Sequence, residues 1–239
     1  SNMYTTHFSV YRKSLIEQIG GFRVGYDGSQ DYDLVLRLTE KTDKIFHIPK
    51  ILYHWRKISG STSEFYHAKG YAHENAKREV EDSIVRRGLK AEVKQGLRPD
   101  LFRIHYQIKK QDKVSIIIPT KDKLTLLQKC VSSILEKTTY NNYEILIVDN
   151  NSIEDSTKKY FQRIVSNPRV KILSYNKPFN YSAVNNFAAK KSESKYLLFL
   201  NNDTEVLESE WLHSMIEFAQ RDNVGIVGAK LLYPEGYIK

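Results

Sequence analysis

Near residue 113 the pattern of apolar and polar positions along this chain changes character. Beyond that point short apolar runs alternate with helical stripes. Val114-Ser115-Ile116-Ile117-Ile118 is a run stopped by Pro119, after which Leu127, Cys130, Val131 and Ile134 recur at helical spacing as far as about Lys137. Residues 144–148 and 170–173 are further runs, separated by a polar helical stretch that ends near Val165. Residues 181–190 predict a helix and 196–200 a fourth strand, apolar enough to be buried on both faces. Residues 211–219 predict another helix, and 224–232 a fifth strand or strand pair. Short apolar runs bounded by polar residues read as strands, and 3.6-residue stripes as helices. Strand and helix alternating at this spacing predict an α/β fold with a Rossmann-like, mainly parallel sheet, because parallel strands need helical crossovers.

Upstream the pattern is less regular. Residues 5–22 hold a short helical pattern ending at Gly20-Gly21, a C-cap signature. Ser29 is placed to cap a helix that opens on Gln30-Asp31-Tyr32-Asp33, with its acids in the first turn as the helix dipole prefers. Residues 44–48 and 51–55 predict two short strands. Phe65, Ala68, Ala72, Ala76, Val80 and Ile84 form a stripe over 61–87, a helix of about 40 Å that suits a connector better than a core element. Phe102, Ile104, Tyr106 and Ile108 alternate strictly, as in an edge strand. Three segments follow: a partial α+β segment (3–60), a helical connector with an edge strand (61–112), and the alternating α/β segment (113–239).

Composition narrows the class. With 41% apolar and 27% charged residues the chain is that of an ordinary globular protein, and no apolar run is long enough for a membrane-spanning helix. The single cysteine, Cys130, lies in an apolar stripe, so no disulfide framework exists and a reducing, cytoplasmic setting is expected. The net charge of +9 favours acidic partners, but the basic residues are scattered, with no run or motif for nucleic acid.

Candidate chemistry gathers at three strand ends. These are Pro119-Thr120-Lys121-Asp122, Asp149-Asn150-Asn151-Ser152 and Asn201-Asn202-Asp203-Thr204. Any one of them fits a plain turn. Together they would line the carboxyl edge of the sheet, where open α/β sheets bind ligands. Neither a GxGxxG nor a GxxxxGK[ST] motif occurs, so phosphate binding here would need a metal ion and a Lys or Arg. Magnesium and manganese suit such a sparse site, since substrate phosphates supply part of their shell.

Read with Val114–Thr120, residues 143–152 and 198–203, these clusters resemble the nucleotide-binding half of a family 2 glycosyltransferase with the GT-A fold. Phe179-Asn180-Tyr181-Ser182-Ala183-Val184-Asn185-Asn186 fits the Asn-bearing segment of that family. The resemblance implies a nucleotide-sugar donor (UDP- or dTDP-linked) and a divalent cation (Mn²⁺ or Mg²⁺). Its implied nucleotide contacts are Thr120, Asp122, Asp149, Asn150, Asn185 and Asn202, with Asp203 as the metal-binding end of a DXD-type motif. Two positions depart from the pattern: Asn201 stands at the first acidic position, and Lys121-Asp122 replace an aromatic-Asn pair.

Residues 20–37 and 51–56 are similar to the acceptor half of the same family. By that similarity Asp31 is the general base at the head of its helix, with Gln30 where Glu is commoner, and His54 completes a metal site. The acceptor-like half comes first in this chain. The order implies the end of one transferase domain followed by the start of another. The two halves could complement each other, within a chain or in a homodimer that exchanges half-domains. The implied activity is inverting sugar transfer to a saccharide hydroxyl in bacterial surface-polysaccharide synthesis, with contact at the inner face of the plasma membrane. A catalytically silent binding module is the alternative that Asn201 and Gln30 favour.

Overall fold

The computed structural model describes residues 9–54, 70–98, 101–233 and 236. The chain forms two compact units, Ser1–Gln107 and Ile108–Lys239.

In the first unit, α1 (Lys13–Gln18) ends in a left-handed Gly20-Gly21 pair, with the Gly21 amide donating to the Ile16 carbonyl. This is the C-cap that the sequence predicts. α2 (Gln30–Leu38) and α3 (Gly70–Arg86) then pack with an antiparallel hairpin of β1 (Ala91–Gln95) and β2 (Phe102–Tyr106). Its core is Tyr32, Val80, Ile84, Val93 and Phe102, with Leu36, Ala76 and Ile104 alongside. The Ala76-Val80-Ile84 stripe therefore packs inside this unit, where the sequence suggests a free connector. At 17 residues, α3 is about 26 Å long. The stripe positions Phe65 and Ala68 lie outside the described residues.

The predicted strands 44–48 and 51–55 do not form over 44–54, and Trp55 lies outside the described residues. Ile45, Phe46, Ile48, Ile51 and Leu52 stand exposed. Apolar alternation makes a strand only where a neighbour supplies the ladder hydrogen bonds, and among the described residues no strand of this unit pairs with this stretch.

The second unit holds the expected parallel sheet, in the order β5-β4-β3-β6: β3 (Val114–Thr120), β4 (Tyr143–Asp149), β5 (Val170–Ser174) and β6 (Tyr196–Phe199). Helices α4 (Leu124–Lys137), α5 (Asp155–Ile164), α6 (Tyr181–Ala189) and α7 (Trp211–Ala219) flank it. Alternate strand residues feed opposite faces, as pleating requires. Ile116, Ile118, Ile145 and Ile147 join Leu127, Cys130, Val131 and Ile134 of α4 and Leu212 and Ile216 of α7. Ile117, Leu146 and Val148 pack on Val184 and Ala188 of α6.

Two strands differ from expectation. β3 runs through Pro119 to Thr120, paired with Val148 and Asp149. The Asn150 amide donates to the Thr120 carbonyl and the Leu200 amide to the Ile117 carbonyl, so odd-numbered residues of β3 turn their backbone toward β6. Pro119 has no N–H to give on that side. The β3–β6 ladder accordingly stops at Ile117 and Phe199, and the chain parts just before Asn201. β6 itself is an edge strand: Leu198 is buried, but Leu197 and Phe199 are 40% and 50% exposed, because α6 covers β3 and β4 on that face. Among described residues 224–233 only an isolated bridge at Leu232 replaces the predicted fifth strand.

At the opposite, amino edge of the sheet Glu144 is buried on β4. It accepts from Lys113 Nζ at 2.8 Å and Ser115 Oγ at 2.7 Å, and pairs with Lys171 Nζ at 2.9 Å. Burial pushes its carboxyl up, but the Lys113, Lys171 and Ser115 contacts outweigh it and hold the pKa at about 2, below the ordinary 4.5. A depressed carboxylate stabilises the fold above its unfolded pKa and loses that contribution as pH falls through the folded one. Replacing Glu144 by Gln should flatten the loss of stability between about pH 4.5 and pH 2, a loss of about 2–3 kcal/mol in the parent. Urea titrations across that range would measure it, and an equal acid loss in both proteins would refute the assignment.

Candidate active site

The reversal of strand order falls between β3 and β6, which makes the gap opened by Pro119 the topological switch point where such sheets bind ligands. Thr120, buried at the end of β3, receives the Asn202 amide (Nδ2 to Oγ1, 3.0 Å) across this gap. Opposite Thr120 in register is Asp149. Its Oδ1 accepts from the Ser152 amide at 2.9 Å, closing a tight turn around Asn151, whose φ is +60°. Thr120, Asn202 and Asp149 thus share one rim.

Asp122 and Asn150, which the resemblance names as nucleotide contacts, are bonded within the loops of this edge. Asp122 neither caps α4, whose N-cap is Lys123, nor is left open to a ligand through Oδ1. That oxygen accepts from the Ile153 and Glu154 amides at 3.0 and 2.9 Å, while the Asp122 amide donates to Ser152 Oγ at 2.8 Å. It therefore ties down the loop that leads into α5, whose N-cap is Glu154, at the cost of a left-handed backbone (φ +51°). Asn150 is buried, and its Nδ2 donates to the carbonyls of Tyr175 and Lys177. Both residues build the loops that present Thr120 and Asp149.

Asn201, Asn202 and Asp203 follow β6 in an open turn, with Asp203 exposed to solvent. Behind them the buried Cys130 thiol lies 3.7 Å from the Asn201 carbonyl, to which Thr204 Oγ1 also donates at 2.8 Å. Burial, offset by the Thr204 bond and reinforced by the nearby Asp203 charge, pushes the Cys130 thiol up, so it stays protonated. The sequence shows Cys130 as a core residue but not as the floor of this turn. Tyr181 Oη donates to Asn201 Oδ1 at 3.3 Å, tying the head of α6 to the same turn. On α6, Asn185 Nδ2 donates to the Tyr181 carbonyl at 2.8 Å, and its buried Oδ1 has no partner.

For a metal ion, this rim offers one exposed carboxylate, Asp203, beside two amides. No group of three His, Cys, Asp or Glu capable of holding a cation occurs among the described residues. Such a donor set fits a cation that arrives with diphosphate oxygens, as Mg²⁺ and Mn²⁺ commonly do, and not a closed protein cage.

Asp31 and His54 belong to the first unit. Asp31 heads α2 as predicted, partly buried, with Oδ1 accepting from the Tyr32 amide at 3.0 Å. His54 is exposed, in a stretch that is neither helix nor strand. Ser29 is the N-cap residue by position, yet its hydroxyl donates to Glu79 Oε1 at 2.7 Å instead of capping the helix. Asp33, fully buried, is gripped by Arg23 Nε at 3.1 Å and by Arg37 Nε at 2.8 Å. Arg37 also donates to the Ile19 and Gly21 carbonyls at the end of α1. The i,i+4 spacing of Asp33 and Arg37 is visible in the sequence, but nothing in it reveals Arg23 or Glu79 as their neighbours.

The glycosyl transferase family 2 model matches residues 115–237, and the chain belongs to that family of enzymes. It is 42% identical over 99% of its length to the O-antigen biosynthesis protein RfbC of Myxococcus xanthus, of which it covers 18%. It has the same identity and coverage with the uncharacterized protein y4gI of Sinorhizobium fredii, covering 26% of it. The chain thus spans about a quarter or less of these relatives. Among solved structures it is similar to the mannosyltransferase PcManGT of Pyrobaculum calidifontis, in complex with GDP-Man and Mn²⁺. That similarity has 15% identity and a TM-score of 0.45, and covers 49% of this chain and 35% of the other.

Proposed function

We propose that this chain is the junction of two transferase domains of a longer glycosyltransferase that builds a bacterial surface polysaccharide. Unit 2 would hold a nucleotide-diphospho-sugar, and unit 1 would carry the acceptor half of the preceding domain. The Thr120–Asn202 bond across the switch point, with Asp149 opposite and Asp203 on the next residue, carries the reading for unit 2. Support for the junction comes from the two 42% relatives, which align across both units without a break in order. The O-antigen role of one of them supports the surface-polysaccharide setting.

In the proposed chemistry Thr120, Asp149 and Asn202 orient base and ribose. Asp203 would hold a divalent cation, whose chemistry would be to supply positive charge to the departing diphosphate. A base of the Asp31 kind takes the proton of the acceptor hydroxyl as its oxygen bonds to the anomeric carbon, while the bond from that carbon to the nucleoside diphosphate breaks on the opposite side, with inversion. Asn201 at the first acidic position, already bonded to Tyr181, favours a second reading, in which unit 2 binds donor without turning it over.

Thermal unfolding with UDP- or dTDP-sugars, with and without Mn²⁺, tests the donor site. Ligand at 100 times its Kd should add about 2.7 kcal/mol of stability. Replacing Asp203 by Ala should remove the metal-dependent part of that gain. Absence of any response to either nucleotide would sink the reading.

A further inference from the structure

Five residues on one side of α3 engage the loop that leads into Asp31. Asn75 Nδ2 donates to the Asp27 carbonyl and Arg78 Nη2 to the Gly25 carbonyl, both at 3.0 Å. Tyr26 lies between the Arg23 and Arg78 guanidiniums, 4.2 and 4.3 Å from its centroid, and its hydroxyl donates to Asp82. At Gly28, where φ is +84°, an added Cβ would come within 2.9 Å of Ala72 Cβ, so the loop lies directly on the helix. Glu79 is the fifth. It is 0% exposed; Oε1 accepts from Ser29 Oγ, and Oε2 is buried with no hydrogen-bond partner among the described residues.

A buried carboxylate with a bare oxygen is costly as an anion and far cheaper as an acid. We infer that Glu79 is a positioning residue for Asp31: a protonated carboxyl under the Ser29 turn holds the start of α2, and loss of its proton loosens that turn. The inference rests on the assignment of Asp31 as the base. The charged groups around Glu79 agree with it. Burial pushes its carboxyl up to about 8, Asp33 and Asp31 add to the rise, and the Ser29 hydroxyl and Arg23 oppose it. Because the folded pKa lies above the ordinary 4.5, stability should fall as pH rises between those values and level off above about 8.

Carbon-detected NMR titration of side-chain carboxyls in the intact chain provides the test. Glu79 should titrate near pH 8, and the Asp31 carboxyl signal should respond to that event at the same pH. Glu79→Gln should abolish that response and flatten the loss of thermal stability between about pH 4.5 and 8, while Glu79→Ala should unfold more easily at every pH. Titration of Glu79 in the ordinary carboxylate range, or an Asp31 signal unchanged by Glu79→Gln, would overturn the inference. Turnover that survives Asp31→Asn in the longer enzyme would instead remove the base assignment and leave the Glu79 inflections in place.

Discussion

Replacing Asp33 by Ala should destabilise unit 1 by about 3–5 kcal/mol, the usual result of removing one partner from a buried ion pair. Burial alone pushes the Asp33 carboxyl up, but the Arg23 and Arg37 guanidiniums outweigh it and bring it below the ordinary carboxylate range. Without it the buried Arg37 keeps its two carbonyl partners at the end of α1 but has no counter-charge. The loss should exceed that from an exposed pair such as Lys13–Glu17, for which about 0.3–0.5 kcal/mol is typical at i,i+4. Denaturant unfolding followed on unit 1 decides the matter; a loss below about 1 kcal/mol would show that the network is not a stability element. Asn at the same position keeps the volume and one acceptor and should cost less than Ala.

The second large effect is on turnover. In the longer enzyme Asp31→Asn should lower kcat by about 10²–10⁴-fold, the usual contribution of a general base, with little change in stability. Asp31 is partly exposed and, among the described residues, its side chain bonds to the next residue's amide, so it is little used in holding the fold. Asp33, two residues on, should show the reverse profile: a large stability loss, with activity following the folded fraction. The pair therefore separates a chemical carboxylate from a structural one on the same helix. Equal kcat in the parent and Asp31→Asn would remove Asp31 from the mechanism.

The sequence by itself determined most of unit 2. Four apolar runs and the stripes between them specify a parallel sheet, because backbone groups buried among helices must pair with neighbouring strands. Polar residues at the strand ends then fall on one edge, since parallel strands all point the same way. Thr120, Asp149, Asn202 and Asp203 were legible as rim residues for that reason.

Only the tertiary structure decided how the polar residues around the rim are held. Asp122 and Asn150 have the same chemistry as Asp149 and Asn202, but their partners are amides and carbonyls of other loops, set by how strands lie side by side. The same holds for the edge position of β6, because exposure of Leu197 and Phe199 depends on where α6 crosses the sheet. In unit 1, periodicity marks the buried stripe of α3 but not its opposite partner. Glu79 lies 50 residues from Ser29 and 46 from Asp33, and no local pattern encodes contacts at that separation. The apolar stretch at 44–54 shows the converse: its side chains fit a strand, but pairing is a property of the neighbour as well, and the described residues of this unit supply none.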